Sequence, residues 1–121
     1  MTLYSSKNIL HNLPYEAISV TVSKDTAGTE TIGGKKVLKA GTLLGGVDGS
    51  IFDNRDSLAT AVTGAEGETV DGISLNDIDV TDRDAVVALV YRGTVREDQL
   101  VGEVSDEVKE QLNLIKFVKG I

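Results

Sequence analysis

Ala85-Val86-Val87-Ala88-Leu89-Val90-Tyr91-Arg92-Gly93 is the stretch on which the fold turns. Its unbroken apolar run implies burial on both faces, and periodicity alone does not separate a buried strand from a buried helical segment. The repeated Val residues are stiff at χ1 and fit a pleated surface, and Gly93 closes the run, so strand is favoured. Thr94-Val95 can carry the same strand past the glycine.

Upstream, Ile18, Val20 and Val22 alternate with Ser19, Thr21 and Ser23, the period of a half-buried strand. A turn-like run, residues 24–30, separates this strand from Thr31-Ile32, Gly33-Gly34 and Lys35-Lys36-Val37-Leu38-Lys39. Further strands are expected at 58–62 and around 69–75. Downstream, Ser105 is a good N-cap, and Asp106 and Glu107 sit where a helix dipole favours negative charge. Val108, Leu112 and Ile115 follow at helical spacing, predicting a short helix that ends near Asn113, with an apolar, alternating segment from Ile115 to Ile121. Thirteen glycines against one proline suit short strands joined by tight turns. The expected fold is α+β, mostly β: a small single domain of short strands with one short C-terminal helix and an extended N-terminal arm.

The arm is assigned to residues 1–16 and the β-rich domain to residues 17–121. Residues 1–16 follow neither a helical nor a strand period, and Pro14 discourages helix across them. Tyr4, Ile9, Leu10, Leu13 and Tyr15 are too apolar for an idle tail. The plain reading is a frayed terminus; the sharper one makes these five and Pro14 candidate partner-binding residues in an arm that orders only on its target.

Composition removes several classes of function. Aromatic residues make up 4% of the chain and Trp is absent, so the core is aliphatic and aromatic anchors for small ligands are few. With 12 Lys and Arg against 19 Asp and Glu, the formal charge is -7, and such a surface repels nucleic-acid phosphates. Without cysteine there are no disulfides, thiolate nucleophiles or thiolate metal sites. No apolar run reaches the roughly 20 residues of a membrane span or resembles a signal peptide, so no membrane association is expected.

Each possible reaction centre has a simpler explanation. His11, the single histidine, lies in the expected arm, which supplies no rigid frame for acid–base work. The acidic group Asp71, Asp77, Asp79, Asp82 and Asp84 could attract a hard cation. It lacks the sixth-position glycine and twelfth-position glutamate of a calcium-binding loop, and turn and strand-entry roles explain it. Gly33-Gly34-Lys35-Lys36 and Gly41-Thr42-Leu43-Leu44-Gly45-Gly46 lack the Lys-Ser/Thr pattern of a phosphate loop. No catalytic residue, metal ligand or cofactor is assigned, and the chain is expected not to be an enzyme.

The remaining residues carry a resemblance. Val37-Leu38-Lys39-Ala40-Gly41-Thr42-Leu43-Leu44-Gly45 resembles a segment of the head decoration proteins of tailed phages. Val70-Asp71-Gly72-Ile73-Ser74-Leu75-Asn76-Asp77-Ile78-Asp79-Val80 is similar to a second segment of that family. The run from Ala85 to Gly93 is similar to its buried strand, and the closing helix with Phe117-Val118-Lys119-Gly120-Ile121 also fits. Chains described as head fibre proteins share the pattern. The likeness spans about residues 35 to 121, through Ala40, Gly41, Thr42, Leu44, Gly45, Gly72, Ile73, Asp77, Asp79 and Gly93; residues 1–34 and the insertion-like 47–56 stand outside it. It implies a structural virion protein on the outer surface of the expanded phage head, made in the bacterial cytoplasm. The implied partners are the major capsid protein and two further copies of the chain, as a homotrimer at three-fold positions that resists the pressure of packaged DNA. Two other classes stay open: a capsid-displayed adhesion module that binds host glycan or protein, with Phe52, Asp53, Arg55 and Asp56 in the insertion, and a metal-dependent binder or enzyme built on the aspartates.

Overall fold

A computed structural model of the chain describes residues 9–65 and 68–119. Among the described residues nine strands form: β1 (Leu10–Val22), β2 (Glu30–Ile32), β3 (Lys35–Leu38), β4 (Leu43–Gly46), β5 (Ala59–Ala61), β6 (Gly72–Ser74), β7 (Ile78–Asp79), β8 (Ala85–Arg96) and β9 (Ile115–Val118). A 3₁₀ turn at Glu97–Gln99 and the helix α1 (Asp106–Gln111) complete the described elements. The domain is mostly β with one short helix near the C-terminus, as the residue patterns predict.

The long apolar run is a strand and the spine of the fold. On one side β8 pairs antiparallel with β1 over Ala17–Val22; on the other it pairs first with β6 and then, in parallel, with β9. The order β1-β5-β4-β6-β8-β9, with β1 also on β8, closes five strands into a ring and leaves β9 attached outside it. A separate three-stranded sheet, β2-β3-β7, packs against the ring.

Burial on both faces of β8 follows from this arrangement, because each face meets its own core. Ile18, Val20 and Val22 of β1, Leu44 of β4, Ala59 and Ala61 of β5, and Val87 and Leu89 of β8 gather inside the ring, with Leu38, Ile78 and Val80 from the smaller sheet. Leu43, Ile73 and Val90 face outward and are covered by Val108 and Leu112 of α1, by Leu100 and Val104, and by Ile115. Two aliphatic cores therefore share the strands β4 and β8, which accounts for the low aromatic demand of the sequence.

Gly93 marks a change of face within β8. Val90 and Val95 lie in the same outer core although five residues separate them, an odd step that requires an irregularity in the period-2 alternation. Gly93 has φ +148°, and the β1–β8 register shifts across this region. The helix starts as expected, with Val108 N–H donating to Ser105 Oγ at 3.3 Å. It is shorter than the spacing predicts: α1 stops at Gln111, and Ile115 belongs to β9, so three apolar residues at helical spacing belong to a helix, its C-cap and a strand.

The boundary at residue 16 moves. β1 already begins at Leu10, and the Ile9 carbonyl accepts Arg96 N–H at 2.7 Å. Ile9 is fully buried in the outer core and Leu10 packs against it. Residues 9–16 are thus part of the domain, their irregular pattern a consequence of successive register shifts between Leu10 and Ala17. Pro14 sits within this strand, where a missing N–H is tolerated at an edge. Tyr4 lies outside the described residues.

Candidate interaction surface

Asp79, Asp82 and Asp84 line one open depression of about 420 Å³ with Lys35 and Arg83, and Asp71 and Asp77 are not among its lining residues. Asp71 accepts Ser50 Oγ–H at 2.7 Å and Ile51 N–H at 2.8 Å, Asp77 accepts Ala40 N–H at 2.7 Å, and Asp84 accepts Lys24 N–H at 2.8 Å. Asp79 accepts both the hydroxyl and the N–H of Thr81, and these bonds, with Lys35 nearby, hold its carboxyl below the usual range. Among the described residues no three His, Asp or Glu side chains are grouped to hold a metal ion. Asp71, Asp77, Asp79 and Asp84 each fix a turn or strand entry.

Two of the segments singled out in the sequence, 37–45 and 70–80, do converge. Lys39-Ala40-Gly41-Thr42 meets Ser74 and Asp77 at the junction between the ring and the smaller sheet. Lys39 Nζ lies 3.0 Å from Asp77 Oδ2, with side chains only 9% and 1% exposed. Thr42 Oγ1–H and Ser74 Oγ–H both donate to the Lys39 carbonyl, at 2.6 and 3.1 Å, while Gly41 N–H donates to Ser74 carbonyl at 2.9 Å. Gly41 has φ +89°, and a Cβ there would lie 3.0 Å from the Gln99 carbonyl oxygen, so backbone and space both call for glycine. A Cβ on Gly45 would come within 1.9 Å of Thr69 O, and one on Gly72 within 2.4 Å of a Leu89 methyl. Ala40, Leu44 and Ile73 are buried core residues. These positions build the fold, and of them Thr42 alone also lines a described cleft.

The surface that does open outward is apolar. Asp71 pins residues 50–51, and the buried Ile51 side chain anchors the same loop in the inner core, so Phe52 projects from a fixed base. Phe52 meets Tyr91 edge-on, with ring centroids 5.5 Å apart. Phe52, Asp71, Tyr91, Gln111, Leu112, Asn113 and Leu114 line an open groove of about 340 Å³. Phe52 is 45% and Leu114 53% exposed. Tyr91 O–H donates to Glu16 Oε1 at 3.3 Å, which links the groove to β1, where Pro14 and Tyr15 are also exposed. A second apolar cleft, about 290 Å³, lies between Ala27, Leu43, Ala61, Val62 and the exposed Val101.

Of the six expected arm contacts, Tyr4 and the Leu13 side chain lie outside the described residues, Ile9 is buried in the outer core, and Leu10 is half-buried against it. Pro14 and Tyr15 remain accessible. Phe52 carries a weak signal in the sequence as an aromatic in the insertion-like 47–56; Leu114, between the helix and the last strand, carries none.

Comparison with protein-family models, with curated protein sequences and with solved structures finds no match to this chain.

Proposed function

We propose that the chain is a structural virion protein that binds the outside of an expanded phage head and reinforces it, as trimers at three-fold positions. The observation that supports this most is the junction at Lys39–Thr42, Ser74 and Asp77. Segments that resemble decoration proteins at two distant places in the sequence come together as one buried, hydrogen-bonded unit. A chance likeness in isolated turns does not demand that they meet.

The apolar groove at Phe52, Tyr91 and Leu114 is the proposed capsid contact, with Tyr15 and Pro14 beside it. A shallow apolar surface with a polar rim suits protein docking, where a few buried aromatic and aliphatic side chains supply most of the affinity. Many copies on a symmetric shell allow each contact to be modest. The test is sedimentation of the purified chain with heads that lack it. The proposal requires binding to expanded heads, reduced by the pair Phe52→Ser and Leu114→Ser. Binding to neither expanded nor unexpanded heads discards it. The adhesion alternative then takes its place, since Phe52 lies in the 47–56 region that suggests it.

A further inference from the structure

We infer that the outer edge of β9 accepts a short, acidic, extended polypeptide segment by strand addition. This rests on the reading of the chain as a partner-binding protein, but not on the partner being a capsid.

The backbone register supplies the first argument. β9 runs parallel to β8 with Gly93 opposite Ile115 and Val95 opposite Phe117, and Gly93 N–H donates to the Leu114 carbonyl. In a parallel ladder, alternate residues turn both main-chain groups to the same neighbour. Leu114, Lys116 and Val118 therefore face β8, and Ile115 and Phe117 turn theirs to the other side. Ile115 N–H is taken by the Leu112 carbonyl at 3.0 Å. The Ile115 carbonyl and both main-chain groups of Phe117 are left along an edge that pairs with no other strand among the described residues.

The other open edge of the larger sheet is blunted. β1 carries Pro14, which has no N–H, a series of register shifts, and a Ser19 carbonyl already taken by Arg55 Nη2 at 2.8 Å. Pro, bulges and capping groups are the usual protections of an exposed strand edge. β9 has neither a proline nor a register shift in its pairing with β8.

Charge selects the occupant. The chain carries -7 overall, and Glu97, Asp98, Asp106, Glu107 and Glu110 stand on the neighbouring 3₁₀ turn and α1, yet β9 and the residue after it carry Lys116 and Lys119 and no acid. The ion pairs on this side use two acids: Glu97, 2.9 Å from Lys109 and 3.9 Å from Lys119, and Glu16, at 4.0 Å from Arg92. Lys116 and Lys119 are exposed along the edge itself. A segment with alternating carboxylates meets these ammonium groups while its backbone pairs with Phe117. A second β9 from another copy brings Lys opposite Lys and is disfavoured.

The test uses the full ¹⁵N-labelled chain and two capped peptides, one alternating Glu and Val and one alternating Lys and Val. The Glu/Val peptide is expected to slow amide exchange at Phe117 and Lys119, with an affinity that falls on adding salt. The Lys/Val peptide leaves both amides unchanged. The double variant Lys116→Glu with Lys119→Glu, on exposed positions that leave the core intact, lowers affinity for the Glu/Val peptide roughly tenfold and gains affinity for the Lys/Val peptide. Equal binding of both peptides, protection along β1 in place of β9, or no binding of the Glu/Val peptide to the folded chain overturns the inference. Loss of capsid binding with peptide binding intact refutes the proposed function alone.

Discussion

Replacing Asp77 with Ala probes the buried junction between the ring and the smaller sheet. The change removes the carboxylate 3.0 Å from Lys39 Nζ and the acceptor 2.7 Å from Ala40 N–H, at a site where the Asp77 side chain is 1% exposed. Deleting one partner of a buried ion pair costs about 3–5 kcal/mol, because the remaining charge stays desolvated. A domain of this size has about 5–15 kcal/mol of stability in total, so the variant loses a large share of it. Its melting temperature is expected to fall by roughly 10–20 °C. Urea titration followed by circular dichroism measures the loss. The double variant Lys39→Met with Asp77→Leu, which removes both charges and keeps apolar volume, is expected to recover the part due to the buried charge but not the part due to the lost acceptor of Ala40 N–H. A loss below about 1 kcal/mol for Asp77→Ala, or a double variant no more stable than the single one, refutes the structural role given to the pair. A fully stable Asp77→Ala that no longer decorates heads makes Asp77 a contact residue.

Gly45→Ala places a methyl 1.9 Å from the Thr69 carbonyl oxygen and is expected to cost more than about 3 kcal/mol. Gly33→Ala, at φ +58° with open space around it, costs about 1 kcal/mol; comparable losses by denaturant titration contradict the packing at β4. Phe52→Ser with Leu114→Ser changes stability by less than about 1 kcal/mol, since both side chains are half exposed, yet lowers head affinity roughly tenfold or more in a binding isotherm. The Thr63 N–H, with the Ala65 and Gly64 amides and the Thr63 hydroxyl, lowers the Glu68 carboxyl below its ordinary value, as Thr81 does for Asp79. The fold favours both ionised forms. Their stabilisation is present above the usual carboxylate range and is lost as pH falls through the lowered folded values. Glu68→Gln should therefore flatten the acid limb of a stability–pH curve, and an unchanged limb contradicts the hydrogen bonds assigned to it.

Much of the fold is legible where local pattern and burial agree. The β8 run, the Ile18–Val22 alternation and the Ser105 cap each announce an element that forms. The N-terminal stretch from Ile9 to Glu16 hides its strand because register shifts break the period that makes a strand visible. Ile115 sits at helical spacing from Val108 and Leu112 yet enters β9, since the outer core wants an apolar side chain there from whichever element supplies it. The convergence of Lys39 with Asp77 is legible only as two separate motifs; their contact depends on β3 and β7 pairing across 37–38 and 78–79. Phe52 and Leu114 meet at one groove through the Asp71 clasp and the turn after α1, long-range features that no local spacing encodes.

The central claim is tested most directly by imaging expanded phage heads lacking the chain after incubation with the purified protein. The account predicts trimeric density at the three-fold positions, with the Phe52–Leu114 groove against the shell and no binding to unexpanded heads. Unchanged bare heads, or the groove facing solvent in a bound particle, contradict it.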